Sequence, residues 1–416
     1  MDTETKRFSL RQLRTFDSLK NPVYRLYFGG IIGQMAAMNM EMMARNLLIY
    51  RVTGSATILG LMTLSFAGPM LLFSLFGGII ADRMHKKHIL LVGQLISAVV
   101  SLGVALSLTL GYLGTDYGGS WWILIVAAVC QGTIMSLTMP SRWAMLREIV
   151  HGEQLLNAVS LYTVAMNGFR VLGPAVAGFL IDAFDFAVVY YFMTGLHLVS
   201  AIFIFFLPLT SLTVLPGRGA LFDIKEGLNY VRHEPIIFSV LAFSLLGVVL
   251  GMPYVTLMPI FTEDILKVGA AELGMLMSTA GIGAIVGSLI LASLPNRKRG
   301  LLLLMSALCL GVALVGFVFS SSWYLALSLL IFVGLGQSGL MALGNTLLQH
   351  YSTDEYRGRV MSIFAMEMGL MSFGAVGAAL LTESIGVQWA IGSFGISMAF
   401  LSILTLAFVP QLRELD

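Results

Sequence analysis

The sequence predicts an all-α membrane protein with about twelve transmembrane helices in two six-helix bundles. Three observations carry that expectation. The 416 residues are 57% hydrophobic and only 11% charged, with a mean hydropathy of +0.89. A soluble domain carries about 25% charged residues, so most of this surface faces something other than water. Apolar runs of spanning length recur from one end of the chain to the other. Lys and Arg collect in alternate connections between those runs.

The runs lie near Tyr24–Tyr50, Thr57–Ala81, Ile89–Leu110, Trp121–Met145, Leu155–Ile181 and Ala187–Leu207, then Ile236–Phe261, Glu272–Leu294, Leu301–Phe319, Trp323–Leu348, Val360–Thr382 and Trp389–Val409. Each is close to the roughly 20 residues that cross a bilayer. The polar stretch Met1–Arg25 is not followed by a short apolar core with a small-residue cleavage site, so the first span is expected to be a retained helix. One side collects Lys6, Arg7, Arg11, Arg14, Lys20, Arg25, Arg83, Lys86, Lys87, Arg142, Arg147, Arg218, Lys225, Arg232, Arg297, Lys298, Arg299, Arg357, Arg359 and Arg413. The other has Arg51 and Lys267 beside acids such as Asp116, Asp182, Asp185, Glu263 and Asp264. Both termini are therefore expected in the cytoplasm, with the protein in the plasma or inner membrane.

The longest connection, Thr210–Pro235, carries Leu221, Ile224, Leu228 and Val231 on one helical face and turns Asp223, Lys225, Glu226 and Arg232 away. That pattern predicts a helix lying on the inner membrane surface. It divides the chain into an N-terminal bundle over 1–209, a linker over 210–235 and a C-terminal bundle over 236–416. The halves echo one another: Asn21-Pro22 with Glu234-Pro235, Leu59-Gly60 with Leu273-Gly274, Asp82-Arg83 with Asn296-Arg297, and Gln131 with Gln337. Matches in the same span order predict a parallel repeat, with a pathway between bundles that rock against each other.

Ionisable groups inside the apolar runs are the informative ones. Span 1 places Gln34, Glu41 and Arg45 on one helical face. Glu41 either lines an outer cavity as a protonatable carboxylate or pairs locally with Arg45, which then reaches the outer interface. In span 5, Asn167 and Arg170 are adjacent near mid-depth, and Glu41 or Glu367 of span 11 is the expected partner of Arg170, as a fixed ion pair or as a carboxylate whose proton comes and goes. Gly168, Gly173 and Gly178 flatten the same helix for a close neighbour, and Pro174 can kink it. Gln34, Asn167, Gln131 and Gln337 are the candidate substrate contacts. His197, a lone histidine in span 6, reads as a hydrogen-bonded packing residue in preference to a proton carrier. The methionines of Met35–Met43 can line a soft cavity. Cys130 and Cys309 match neither a metal spacing nor a disulfide framework. No P-loop or His/Glu metal cluster stands out, so no enzyme and no cofactor are expected.

Gly78-x-x-x-Asp82-Arg83-x-x-Lys86-Lys87 resembles the signature loop of the major facilitator superfamily, between spans 2 and 3. Gly173-Pro174-x-x-Ala177-Gly178 resembles the span-5 motif of its proton-driven exporters. Pro140-Ser141-Arg142, Arg147-Glu148, Asn157-Ala158, Asn167, Arg170 and Gly173-Pro174 resemble the branch of enterobactin-type siderophore and macrolide exporters. Three positions depart from the pattern: His85 and Ala177 stand where glycine is usual, and Ala128 stands where span 4 usually has arginine. The last moves the expected proton coupling to Glu41, Arg170 and Glu367.

The resemblance implies alternating access, with Asp82 as inner gate beside Gly78, Arg83 and Lys86, and Arg142 as its expected donor. The alternative is a solvated loop that only sets topology. The function expected is proton-coupled export of small amphipathic or apolar compounds by a monomer, with protons and the lipid bilayer as its other partners and no nucleic acid. A nutrient importer or uniporter of the same fold, and a non-transporting receptor or scaffold, are the alternatives.

Overall fold

The computed structural model describes residues 17–114, 120–209, 220–295 and 297–416, with the side chains at 74–83, 153, 220–225 and 368 left out. The gate residues Gly78, Asp82 and Arg83, their counterpart Asn296, and Leu221, Asp223, Ile224 and Lys225 of the linker thus lie outside the described side chains.

Helix α1 (Pro22–Thr53) starts where its chemistry dictates. Asn21 caps it by accepting from the backbone N–H groups of Val23 at 2.9 Å and Tyr24 at 3.3 Å, with Pro22 at the first turn. It ends at Gly54, whose φ of +61° suits glycine. There follow α2 (Ala56–Arg83), α3 (Lys86–Thr109), α4 (Trp122–Ile149), α5 (Glu153–Ala183) and α6 (Phe186–Phe205). The linker forms α7 (Ala220–His233). The second half holds α8 (Pro235–Gly251), α9 (Pro253–Ile260), α10 (Ala270–Ser293), α11 (Arg299–Val318), α12 (Trp323–Tyr351), α13 (Asp354–Ala365), α14 (Glu367–Ile385), α15 (Val387–Phe408) and the short α16 (Pro410–Arg413).

Eleven stretches among the described residues are long and apolar enough to cross a membrane, α8–α9 and α13–α14 each counting as one. Helix α1 is long enough at 32 residues but is diluted by Gln34, Asn39, Glu41, Arg45 and Asn46. With it the protein is a multi-pass, all-helical membrane protein.

Two spans expected to be single helices are broken. Span 7 stops at Met252 because Pro253 has no N–H to continue the ladder. It then ends in a π turn over Phe261–Leu266 that closes at Lys267 in the left-handed region (φ +53°). Span 11 begins earlier than expected, at Asp354, and changes helix at Met366, where the N–H of Met366 bonds the Ile363 carbonyl at 3.1 Å. Pro174 does not interrupt α5, which runs unbroken.

The helix pairs repeat. Contacts of α2 with α4, α3 with α6 and α3 with α4 recur as α10 with α12, α11 with α15 and α11 with α12. The halves meet through α5 on α10 and α2 on α14, two contacts that exchange under the same correspondence. The α5–α10 contact is close because Gly178 faces the Ala270 carbonyl and Gly274 faces the Pro174 carbonyl, so a Cβ at either would overlap backbone. Gly173 admits α1 in the same way, its missing Cβ standing only 2.6 Å from Asn39 Cβ. Gly168 has open space around it.

The linker helix is corrected in one respect. Rather than turning Glu226 away, α7 docks on α13: Arg359 Nη2 lies 3.1 Å from Glu226 Oε2, and Tyr230 stacks on Tyr356 with ring centroids 4.3 Å apart. Val231 is buried against this contact while Leu228 is exposed.

Candidate functional site

The face of α1 predicted from spacing looks into the middle of the molecule. A cavity of about 190 Å³ lies between the halves. Helix α1 lines it with Met38, Asn39, Glu41, Met42, Arg45 and Asn46, and α2 with Thr63, Phe66, Ala67 and Met70. Met135 of α4, Val255 and Thr256 of α9, and Met371 and Ser372 of α14 complete it. The wall therefore carries five methionines and Phe66, with Asn39, Asn46, Thr63, Thr256 and Ser372 as neutral polar groups, around one charged pair. Met38 and Met42 belong to this wall, whereas Met35, Met40 and Met43 are buried in packing.

Glu41 Oε1 stands 3.5 Å from Arg45 Nη1, and both side chains are nearly buried. The guanidinium also sits over the Phe66 ring, 4.8 Å from its centroid. Arg45 is thus held inside and does not reach an interface, which corrects the local-pair alternative in its second half. The expectation that Glu41 or Glu367 holds Arg170 is corrected too. Glu41 has taken Arg45, and among the described residues no ion pair joins Arg170 to either carboxylate. Arg170 is within electrostatic range of Tyr254 of α9. Glu367 is half-buried at the start of α14 with Oε2 unpartnered.

The glutamine candidates separate. Gln34 and Gln131 line a smaller pocket beside Glu41, together with Ser97 and His197. Gln337 is buried in the second half, where its Nε2 reaches Met252 Sδ at 2.9 Å and its Oε1 lies 3.5 Å from Tyr254 Oη. Asn167, like Gln337, is not among the residues lining these two cavities. Sequence reading passed over Phe66, which covers the arginine; His197 is buried and hydrogen-bonded to Gln94 at 2.8 Å as expected, and it also lines the small pocket. An aromatic on a neighbouring helix carries no spacing signal that could have singled it out, and none placed the lone histidine beside Glu41.

Of the gate candidates, Lys86 pairs with Glu148 of α4 at 2.6 Å. Arg142 is buried, its carbonyl accepting from Tyr27 Oη at 2.9 Å and its Nε and Nη2 unpartnered. At the opposite end of the helices the halves are tied by polar contacts. Tyr50 Oη donates to Asp264 Oδ2 at 2.7 Å, and Arg51 Nε meets Glu263. Asp182 at the end of α5 accepts from the N–H groups of Ala270 and Ala271 that open α10. Glu383 near the end of α14 accepts from Ser55 Oγ and the Thr57 N–H that open α2. These two carboxylates do the same thing at repeat-equivalent places: each satisfies donors that a helix N-terminus leaves without partners.

The sequence matches the transmembrane secretion effector family over residues 14–416. It is 23% identical to a staphyloferrin A transporter of Staphylococcus aureus, over 90% of this chain and 91% of that protein. It is 24% identical to an enterobactin exporter of Shigella boydii, over 95% of this chain and 93% of that protein. The fold is similar to the crystal structure of the nucleoside transporter NupG, with a TM-score of 0.74 at 11% identity, covering 92% of this chain and 98% of the other.

Proposed function

The chain belongs to the transmembrane secretion effector family of major facilitator transporters, and from that premise we propose that it exports small amphipathic or apolar compounds, siderophore-like molecules among them, in exchange for protons. It is a membrane transporter and not an enzyme, which sets aside the receptor or scaffold reading.

The observation that carries the proposal is the Glu41–Arg45 pair in the wall of a methionine-rich cavity between the halves. The thioethers and Phe66 suit varied apolar shapes, because Met side chains re-pack at little cost. A carboxyl in that wall can hold a proton in one state and the Arg45 guanidinium in the other. Proton and substrate then compete for one place, which is the physical requirement of exchange. The siderophore class is supported by the two siderophore-transporting relatives.

The Lys and Arg distribution supports placing both termini in the cytoplasm. On that placement the tied end is the outer one, and the cavity opens inward when its walls part. Asp82 as inner gate is supported by the signature loop, by the Lys86–Glu148 anchor beside it, and by the unspent donors of Arg142. The mutation Asp82→Asn is then expected to reduce efflux at normal membrane insertion.

The test is a transport screen of siderophores and dyes in inverted vesicles with an imposed proton gradient. Uptake driven by an acidic lumen supports export by exchange. Uptake that ignores the gradient, or runs against it, favours the importer or uniporter reading and sinks this one.

A further inference from the structure

The small pocket beside Glu41 encloses about 30 Å³, room for about one or two water molecules. It adjoins the larger cavity, sharing Glu41, Phe66 and Met135 with it. Three of its side chains are more than nine-tenths buried with one polar atom unspent: Gln34 Oε1, Gln131 Nε2 and His197 Nε2. The other end of two of them is spoken for. Ser97 Oγ donates to Gln131 Oε1 at 3.0 Å, and Gln94 Oε1 lies 2.8 Å from His197 Nδ1. With that oxygen accepting, Nδ1 carries the hydrogen and Nε2 presents a lone pair to the pocket.

The pocket therefore offers two acceptors, Gln34 Oε1 and His197 Nε2, and one donor, the Gln131 amide. A protonated Glu41 adds a second donor. Two donors and two acceptors around a water-sized space are the complement of one water molecule. We propose that this pocket holds a water linking Glu41 to His197, and that His197 is a second station for the transported proton. The transfer balances: the Glu41 O–H gives its proton to the water as the water passes one to His197 Nε2. Glu41 is left as carboxylate facing Arg45, and His197 becomes an imidazolium still donating from Nδ1 to Gln94. The groups facing His197 are Glu41 with its partner Arg45 on α1, and Gln94, Ser97 and Gln131 on α3 and α4. On its own helix Tyr190 lies near the same pair, and Arg170 of the adjacent α5 is within electrostatic range of Tyr254.

The inference rests on proton exchange at Glu41 and is tested apart from it. In full-length protein in lipid nanodiscs, with the other five histidines replaced by glutamine, the ¹⁵N signal of His197 is followed against pH. It is expected to titrate, and its midpoint to move by about one pH unit in Glu41→Gln. In Gln131→Leu, which removes a donor to the water and neither titrating group, Glu41→Gln is expected to move it by less than half as much. A His197 that never titrates, or a midpoint indifferent to Glu41, overturns the proposal. So does coupling that survives Gln131→Leu unchanged. If Glu41→Gln abolishes gradient-driven transport while the His197 midpoint stays put, exchange at Glu41 stands and the second station fails. If Glu41→Gln transports normally, the exchange reading fails and takes the station's role with it.

Discussion

The two halves share a helix arrangement but spend their buried polar groups differently. Buried hydroxyls in both halves donate to a carbonyl one turn back in their own helix, Thr138 and Thr194 in the first and Thr262, Thr382 and Ser402 in the second. Such groups are satisfied locally and stay satisfied when helices move. In the first half two buried side-chain pairs bond across helices, Gln94 with His197 and Ser97 with Gln131, and Glu41 pairs with Arg45 within α1. They also leave Gln34, Gln131 and His197 with unspent atoms around a pocket. The repeat-related glutamines show the contrast at one position, since Gln131 keeps its amide nitrogen free where Gln337 reaches Met252 and Tyr254. The difference teaches that the repeated helix arrangement supplies a common frame, while the buried side-chain pairs that join helices around a pocket lie on one side of it.

The comparison can be broken most directly at Glu41. Glu41→Gln is expected to drop gradient-driven efflux to the rate seen without a gradient, while substrate still equilibrates, as read in inverted vesicles. An equal loss from Glu367→Gln would place coupling in both halves and end the asymmetry. A smaller effect is expected at the frame itself. Gly178→Val drives its side chain into the Ala270 carbonyl, and overpacking of this kind costs about 1–3 kcal/mol. It should lower the thermal midpoint of detergent-solubilised protein, whereas Gly168→Ala, which meets open space, should leave it unchanged.

The tied end gives the next test. Asp182→Ala and Glu383→Ala each remove a helix cap worth about 1 kcal/mol. Each should raise the population open at that end about fivefold, read as distances between spin labels on α1 and α9. Because the two caps occupy equivalent places, similar shifts are expected, and a response from one alone would make the frame asymmetric as well. The smallest effect is expected at Gln337. Gln337→Leu should change efflux by less than about twofold, because both partners in its buried contacts are weak, and Gln131→Leu should do more.

The sequence by itself determined the class of protein, its many membrane-length helices and the face of α1 that lines the cavity. Those follow from hydropathy and from the 3.6-residue period, which are properties of a segment alone. It also marked the glycines of α5, since a missing side chain is legible wherever it occurs. Partner choice was not legible. Spacing brought Glu41 and Arg45 together on one helix, but it could not show that Phe66 of α2 would cover the arginine, or that Glu41 would pair with Arg45 and not with Arg170. Nor could it join Gln34, Gln131 and His197, which come from α1, α4 and α6 and meet only when those helices pack. Neither break, at Met252 or at Met366, was expected: Pro253 is a local cause of the first that hydropathy alone overlooks, and the second has no such local cause. Tertiary structure decided these matters because a buried polar atom takes whatever partner the neighbouring helix presents, and that choice depends on how the helices pack.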